Sequence, residues 1–251
     1  MRVAVVGGTG LVGRHVVHAL RRSGHEAVAI ARSMGVDVLT GAGLAEALAG
    51  ADSVVDVLNV PAADADEARA LFGAATSRLL EAERRAGIEH HVLLSILGLD
   101  RVEGNAHYAG KRLQEELVLA GPVPATVLRA AQFHEFAGMV VGWTRRDEVA
   151  IVPPLLIQPV AASDVGEALA QLATGGPRRG RIDLAGPEPQ DLVDMARRTL
   201  AARGEAIRLV PSWQGPFGVE MAGEPLLPSS EAQLATTTFD EWLATQSVAL
   251  S

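Results

Sequence analysis

A glycine-rich turn near the N-terminus lies between a short apolar run and an amphipathic segment. The turn is Gly7-Gly8-Thr9-Gly10-Leu11-Val12-Gly13, which contains both G-x-G-x-x-G and G-x-x-G-x-x-G. It follows a β-rich run at 2–6 and opens a segment at 11–23 whose apolar side chains share one helical stripe. Glycines let backbone amides approach an anion, and a helix N-terminus adds partial positive charge. In this strand-to-helix context the turn predicts a site for the pyrophosphate of a dinucleotide.

Strand-like and helix-like segments alternate through most of the chain. The candidate strands are 2–6, 27–31, 36–39, 53–58, 91–95 and 125–129, and the candidate helices between and after them are 11–23, 44–49, 65–86, 105–120 and 165–173. This order predicts an α/β fold with a doubly wound parallel sheet of Rossmann type and helices on both faces. In such sheets ligands bind at the carboxyl ends of the strands, near the switch point.

The alternation weakens toward the C-terminus, where Pro and Gly become frequent. We expect residues 1–175 to form an NAD(P)-binding Rossmann domain. We expect residues 176–251 to form a small C-terminal α+β lobe that binds substrate, with residues 133–160 contributing to it. Helices are predicted near 189–203 and 239–245 in that lobe, and Asp164 is predicted to cap the helix before it.

Composition and charge exclude several classes of protein and of site. The 251 residues carry a formal net charge of −8, and no basic stretch exceeds two residues, so we expect no nucleic-acid partner. The absence of cysteine excludes disulfides and thiol catalysis, and no third ligand accompanies His90-His91 at metal-binding spacing. The sequence has neither a signal peptide nor a membrane-length apolar run, which predicts a cytoplasmic protein without a membrane partner. We also expect a monomer or homodimer that binds a small-molecule substrate.

The residues after the second strand indicate which dinucleotide the turn would bind. In NAD-binding domains an acidic residue there binds the ribose hydroxyls, whereas here Arg32 and Ser33 follow the strand. A guanidinium binds a 2′-phosphate through bidentate hydrogen bonds, and Ser33 adds a hydroxyl. The predicted cofactor is therefore NADP(H). Two alternatives to this interpretation stay open. The Asp37 carboxylate could fold back toward the ribose, or Arg32 could face solvent without binding the cofactor.

Together these motifs resemble an atypical short-chain dehydrogenase/reductase of the NmrA-like kind. The resemblance rests on GGTGLVG at 7–13, Arg32, Ser95 in LLSILG, HYAGKRLQEEL at 107–117 and VAASDVGEAL around Asp164, and it covers about the first 175 residues. Members of this family bind NAD(P)H. Some reduce quinones or enones, and some only sense the cofactor.

The resemblance also implies catalytic roles. In the wider family a tyrosine four residues before a lysine protonates the substrate oxygen, the lysine binds the nicotinamide ribose, and a strand-end serine orients the carbonyl. Lys111 and Ser95 match that lysine and serine, but His107 lies four residues before Lys111 and Tyr108, the only tyrosine, lies three before. Both positions share a helix face with Lys111, so Tyr108 and His107 are both candidate acids. Each residue also has a non-catalytic alternative. Tyr108 could be a packing residue, His107 could lie at the surface, and Lys111 could form a surface ion pair with Glu115.

Other residues that follow strands complete the predicted site. Asn59 is expected near the nicotinamide ribose, and Gln132, Phe133 and His134 are expected to line the substrate pocket. The first functional hypothesis is an NADPH-dependent oxidoreductase that transfers a hydride to a small apolar carbonyl, enone or quinone. The displaced tyrosine keeps open a non-catalytic NADP(H)-binding sensor or regulator, and a Rossmann isomerase or dehydratase with structural NADP is the third reading.

Overall fold

The computed structural model describes residues 1–215 and 217–248. Strands and helices alternate along most of these residues. In chain order they are β1 (Arg2–Val6), α1 (Leu11–Arg22), β2 (Glu26–Ile30), α2 (Leu44–Leu48), β3 (Ser53–Asp56), α3 (Ala65–Ala86), β4 (His90–Ile96), α4 (Ala106–Leu119), β5 (Ala125–Ala130), α5 (Phe136–Thr144), β6 (Val149–Val152), β7 (Leu156–Ile157), α6 (Ala162–Thr174), β8 (Gly180–Ala185), β9 (Gln190–Asp191), α7 (Leu192–Arg203), β10 (Arg208–Pro211), β11 (Gln233–Leu234) and α8 (Phe239–Val248). No helix among these residues is both long and apolar enough to cross a membrane.

A seven-stranded parallel sheet in the order β11-β8-β5-β4-β3-β1-β2 forms the centre of the fold. Alternate residues of β1 face opposite layers. Val3 and Val5 pack in the apolar cluster that contains α1 and α6, whereas Ala4 and Val6 pack in the cluster that contains α2 and α3. The order reverses between β1 and β3, which creates the switch point where such sheets bind ligands. The predicted doubly wound α/β fold is therefore confirmed.

The helices that frame this edge begin and end where capping chemistry places them. The Asp64 side chain accepts hydrogen bonds from two backbone amides at the start of α3, and Gly87, with a φ of +74°, ends that helix. The Asn105 side chain caps α4 by accepting from the Tyr108 amide at 3.1 Å. This cap fixes the first turn of the helix that carries Tyr108 and Lys111.

Two local predictions are wrong. Residues 36–39 are not a strand, because Gly35, Gly41 and Gly43 take positive φ angles and curl the chain into turns. Asp164 does not cap α6, which begins at Ala162. Its carboxylate instead accepts from the backbone amide and the hydroxyl of Thr237, at 3.2 and 2.9 Å.

The C-terminal part of the chain is divided between the sheet and a separate lobe. β8 and β11 belong to the main sheet, so the chain does not divide at residue 175 as the sequence suggested. The lobe consists of α5, β6, β10, α7 and α8, and its apolar residues form a second cluster that also contains Tyr108. Parallel pairing continues across the expected boundary because β8 is hydrogen-bonded to β5 from Gly180 onward.

Candidate cofactor and catalytic site

The glycine-rich turn joins β1 to α1 at the carboxyl edge of the sheet. Gly7 has a φ of +80°, and its carbonyl accepts from the Gly10 amide at 2.9 Å, which closes the turn. α1 begins after Gly10 with neither a side-chain cap nor an acidic residue in its first turn. Thr9, Leu11 and Val12 complete the loop around that helix end. An uncapped helix N-terminus has free amides and partial positive charge, which suits a bound phosphate.

Glycine is required in this loop for two different reasons. A Cβ on Gly13 would lie 2.1 Å from the Gly7 carbonyl oxygen, so no side chain fits there. A Cβ on Gly8 would lie 2.8 Å from the Cβ of Ala29 on β2. By contrast, a Cβ on Gly10 would approach only the Gly7 oxygen, at 3.2 Å. The loop therefore fits a dinucleotide, because Gly10 leaves space outside α1 and the other two glycines keep the backbone compact.

Arg32 and Ser33 lie in a short 3-10 turn directly after β2, and both are exposed. This position is beside the glycine-rich turn, because the Gly7 amide donates to the carbonyl of Ile30 at 2.9 Å. Asp37 is occupied elsewhere, since its carboxylate accepts from the Leu39 amide at 2.8 Å. Of the two candidate ribose ligands, Arg32 is thus the one whose side chain faces solvent next to the turn.

Lys111 is buried between α4 and the strand ends. Its ammonium donates to the carbonyl of Leu94 and to the side-chain oxygen of Gln114, both at 2.8 Å, and lies 3.5 Å from the Leu58 carbonyl. The face of the Phe72 ring lies 5.4 Å from the nitrogen. Burial lowers the pKa of Lys111 to about 8. It is therefore not a surface lysine paired with Glu115.

Tyr108 lies one helical turn before Lys111 and is also buried. Its hydroxyl accepts a hydrogen bond from the side-chain amide of Gln132 at 3.3 Å, and the remainder of the ring packs in the apolar cluster of the lobe. Burial raises the pKa of the phenol, and the hydrogen bond from Gln132 opposes this only in part. The phenol therefore stays protonated at neutral pH.

His107 occupies the position four residues before Lys111, but it turns toward α3. Its ring contacts Phe72 edge-on with the centroids 5.6 Å apart. Burial, together with the charge of Lys111, lowers the pKa of His107 to about 4. An imidazole with that pKa is neutral at pH 7, so almost none of it is the imidazolium that a general acid requires.

Ser95 is buried beneath α4 rather than beside Tyr108. Its hydroxyl makes no hydrogen bond of regular geometry, yet it lies close enough to Glu115 to help lower the pKa of that carboxyl. Glu115 itself binds Arg129 and Arg181, both at 2.7 Å. The next residue, Ile96, packs against the cluster that contains Tyr108, so the strand turns Ser95 to the opposite face.

The remaining predicted residues do not converge on one point. Asn59 is exposed after β3, three residues past Asp56. Phe133 packs on the cluster beneath α1 and α6. His134 is buried in the lobe, where its Nε2 donates to the Thr237 carbonyl at 3.1 Å and its ring contacts Phe239 edge-on. Of the three residues predicted to line the substrate pocket, Gln132 alone bonds to a predicted catalytic side chain.

Two further polar residues at the site were not predicted from the sequence. Gln114 accepts from Lys111 and donates to Asp56 at 2.9 Å, and both side chains are fully buried. The available signal was that Gln114 lies three residues after Lys111 and that Asp56 ends a buried strand. Within the described ranges no three His, Asp or Glu side chains cluster as metal ligands would.

Comparisons with known proteins bear on the family and the fold of this chain. Among curated proteins, the photosystem II assembly factor Ycf39 of Synechocystis sp. is 32% identical over 111 residues, which span 39% of this chain and 34% of that protein. The match thus spans about a third of the length of this curated relative.

Similar solved structures include MoeE5 in complex with UDP-glucose and NAD, with a TM-score of 0.76, 21% identity and complete coverage of both chains. The NADPH-dependent quinone oxidoreductase QOR2 of Escherichia coli, complexed with NADPH, has a TM-score of 0.75 and 17% identity over 97% of this chain and 99% of that chain. These likenesses concern the fold.

The family model described as the NAD dependent epimerase/dehydratase family matches residues 3–128, half of the chain. The matched range runs from β1 to β5 and includes the glycine-rich turn, Tyr108 and Lys111. This confirms the predicted place among the short-chain dehydrogenases/reductases, and the chain belongs to the NAD dependent epimerase/dehydratase family.

Proposed function

We propose that this protein is an NADPH-dependent oxidoreductase that transfers a hydride to a small apolar carbonyl, enone or quinone. The observation that carries the proposal is the pair of buried side chains on α4. Tyr108 presents a protonated phenol inside an apolar cluster, and Lys111 lies one turn away with its ammonium at the strand ends. Proton donation to a developing alkoxide needs a group of this kind in a water-poor site.

The cofactor would be held at the carboxyl edge of the sheet. The glycine-rich turn and the N-terminus of α1 would bind the pyrophosphate, and Arg32 with Ser33 would bind the 2′-phosphate. Lys111 and Asn59 would bind the nicotinamide ribose. Bound NADPH supplies the hydride.

The chain's own residues would complete the reduction. Tyr108 gives its phenolic proton to the substrate oxygen as the carbon receives the hydride, and the phenolate then takes a proton from solvent. Gln132 orients the phenol, and its buried side-chain oxygen, which accepts no hydrogen bond from the described residues, can accept one from a ligand. The apolar cluster around Tyr108 suits a substrate with few polar groups.

The comparisons support a reductase, and one of them bears on the substrate class. QOR2 is described as an NADPH-dependent quinone oxidoreductase and covers nearly the whole chain, which favours a quinone among the three substrate classes. MoeE5 was solved with NAD, so the preference for NADPH rests on Arg32.

A non-catalytic NADP(H)-binding sensor is the second candidate, and one observation favours it. The ammonium of Lys111 is already surrounded by protein oxygens, and Tyr108 is almost fully buried. A protein that only senses the cofactor needs neither group to reach a substrate.

Two measurements on the purified protein separate these functions. Calorimetric titration with NADPH tests binding, and the loss of nicotinamide absorbance with a panel of quinones, enones and small ketones tests turnover. Turnover that disappears in Tyr108→Phe supports the reductase. Tight binding without turnover on any panel member supports the sensor, and absence of binding overturns both.

A further inference from the structure

A continuous chain of hydrogen bonds connects Lys111 to Asp56. The ammonium of Lys111 donates to the Gln114 oxygen at 2.8 Å, and the Gln114 amide nitrogen donates to Asp56 Oδ2 at 2.9 Å. Asp56 Oδ1 accepts from the backbone amide of Leu58 at 2.8 Å. Lys111 is 5% exposed, and Gln114 and Asp56 are 0% exposed. Buried polar groups of this kind persist only when their partners are fixed.

The chemistry of the three side chains allows one arrangement only. An ammonium can only donate and a carboxylate can only accept, so Gln114 must turn its oxygen to Lys111 and its nitrogen to Asp56. A lysine side chain has many rotamers, and this chain of bonds selects one of them. Of the three contacts of the ammonium, the one to the Leu58 carbonyl is the longest, at 3.5 Å, and it points toward the end of β3.

We propose that Gln114 and Asp56 are positioning residues that hold the Lys111 ammonium at the end of β3, where the donor that makes the long contact to the Leu58 carbonyl can turn to the nicotinamide ribose. This inference rests on the proposed function, because it requires that Lys111 binds the cofactor. Asp56 connects α4 to the segment after β3. Its carboxylate accepts from Gln114 on α4 and from the Leu58 amide in the segment that precedes Asn59.

The charges around Lys111 give Asp56 a second effect. Facing the ammonium are Asp56 from β3, Glu115 and His107 from α4, and the uncharged ring of Phe72 from α3. His107 is neutral, and Glu115 is already bound to two arginines. The buried pair of Glu83 and His91 faces Asp56 from the far side. Burial lowers the pKa of Lys111 to about 8 and the Asp56 carboxylate opposes this, so without that carboxylate the pKa falls further.

The test compares three variants by calorimetric titration with NADPH across a pH series. Gln114→Met removes both hydrogen bonds with little change in volume, and Asp56→Asn removes the charge. Val118→Ala deletes buried methyl groups on the same helix, outside the site, and controls for lost stability. We expect Gln114→Met to raise the Kd about tenfold, as loss of a charge-assisted hydrogen bond implies. We expect Asp56→Asn to move the alkaline loss of binding to lower pH, and Val118→Ala to leave both unchanged.

Each change is also made in a Lys111→Ala background, which separates the positioning of Lys111 from its contact with the cofactor. If the positioning is correct, Gln114→Met and Asp56→Asn have no further effect once Lys111 is absent. If Lys111→Ala weakens binding but neither single variant does, the positioning role is overturned and the proposed function stands. An alkaline limit that stays in place in Asp56→Asn also overturns it. If Lys111→Ala binds NADPH normally, the proposed function itself loses its ribose ligand.

Discussion

Gly13 and Gly7 touch backbone to backbone, since a Cβ atom on Gly13 would lie 2.1 Å from the Gly7 carbonyl oxygen. The first turn of α1 is therefore seated directly on the loop that precedes it. Gly10, between them in sequence, has no such contact apart from the same oxygen at 3.2 Å. Gly13 is therefore required for folding, whereas Gly10 leaves space for a ligand.

We expect Gly10→Val to fold but to lose NADPH binding, because the added side chain occupies the space where a pyrophosphate would approach. Gly13→Val should lower the melting temperature strongly, because backbone atoms cannot yield. Thermal unfolding and calorimetry on both variants make the comparison. Normal NADPH affinity in folded Gly10→Val would show that the phosphate loop is misassigned.

Arg32→Ala should reduce the preference for NADPH over NADH. A hydrogen bond to a charged group contributes about 1.5–3 kcal/mol, and because Arg32 is exposed we expect the lower end of that range, roughly a tenfold change in the affinity ratio. The ratio of the two Kd values by calorimetry measures it, with Arg69→Ala as a control at an exposed arginine on α3. An unchanged ratio in Arg32→Ala would assign the 2′-phosphate to another residue.

The three candidate groups on α4 should differ in their effect on turnover. Lys111→Ala should reduce both cofactor affinity and kcat. Tyr108→Phe should reduce kcat by about 10²–10⁴-fold, the usual contribution of a general acid, with little effect on NADPH affinity. His107→Ala should change neither, because its imidazole is neutral and faces Phe72. Steady-state kinetics and titrations on the three variants decide this, and loss of turnover in His107→Ala alone would make His107 the acid.

The buried pair of Glu83 and His91 should make stability depend on pH. Burial alone would lower the pKa of His91, but the Glu83 carboxylate, 2.8 Å from Nδ1, outweighs it and raises that pKa. A raised pKa contributes stability that is present below the unfolded value of 6.5 and is lost as the pH rises through the folded value. The free energy of unfolding in urea should therefore fall more between about pH 6 and about pH 9 for the parent protein than for the double variant Glu83→Gln/His91→Gln, because burial raises the pKa of Glu83 and would make a lone Glu83 titrate as well. Equal falls would mean that the pair holds no proton at pH 6.

The fold and the phosphate loop can be predicted from local patterns in the sequence. Buried valine-rich strands and capped helices have short-range periodicities, so the parallel sheet, the cap at Asn105 and the turn at 7–13 can be predicted without knowledge of contacts. The run at 36–39 has the composition of a strand, yet glycines on both sides prevent it from extending.

The catalytic geometry depends on contacts that such patterns do not contain. The side that Ser95 faces follows from the register of β4, and the charge state of His107 follows from its burial against Phe72. Asp56 and Gln114 are 58 residues apart and meet only because α4 packs on β4, the neighbour of β3 in the sheet. Which polar groups share a site is therefore a property of the packed layers.

The way the chain alternates between sheet and lobe limits how a substrate can arrive. After β5 it passes into the lobe, returns through α6 and β8, leaves again through α7 and β10, and returns at β11 before α8. Asp164 ties α6 to the segment before α8. A hinge rotation of the lobe relative to the sheet would strain all of these connecting segments at once. Admission to Tyr108 should therefore be governed by small side-chain movements at Trp213 and Phe217, which border its cluster, so that changes there alter the rate of substrate capture while cofactor affinity is preserved.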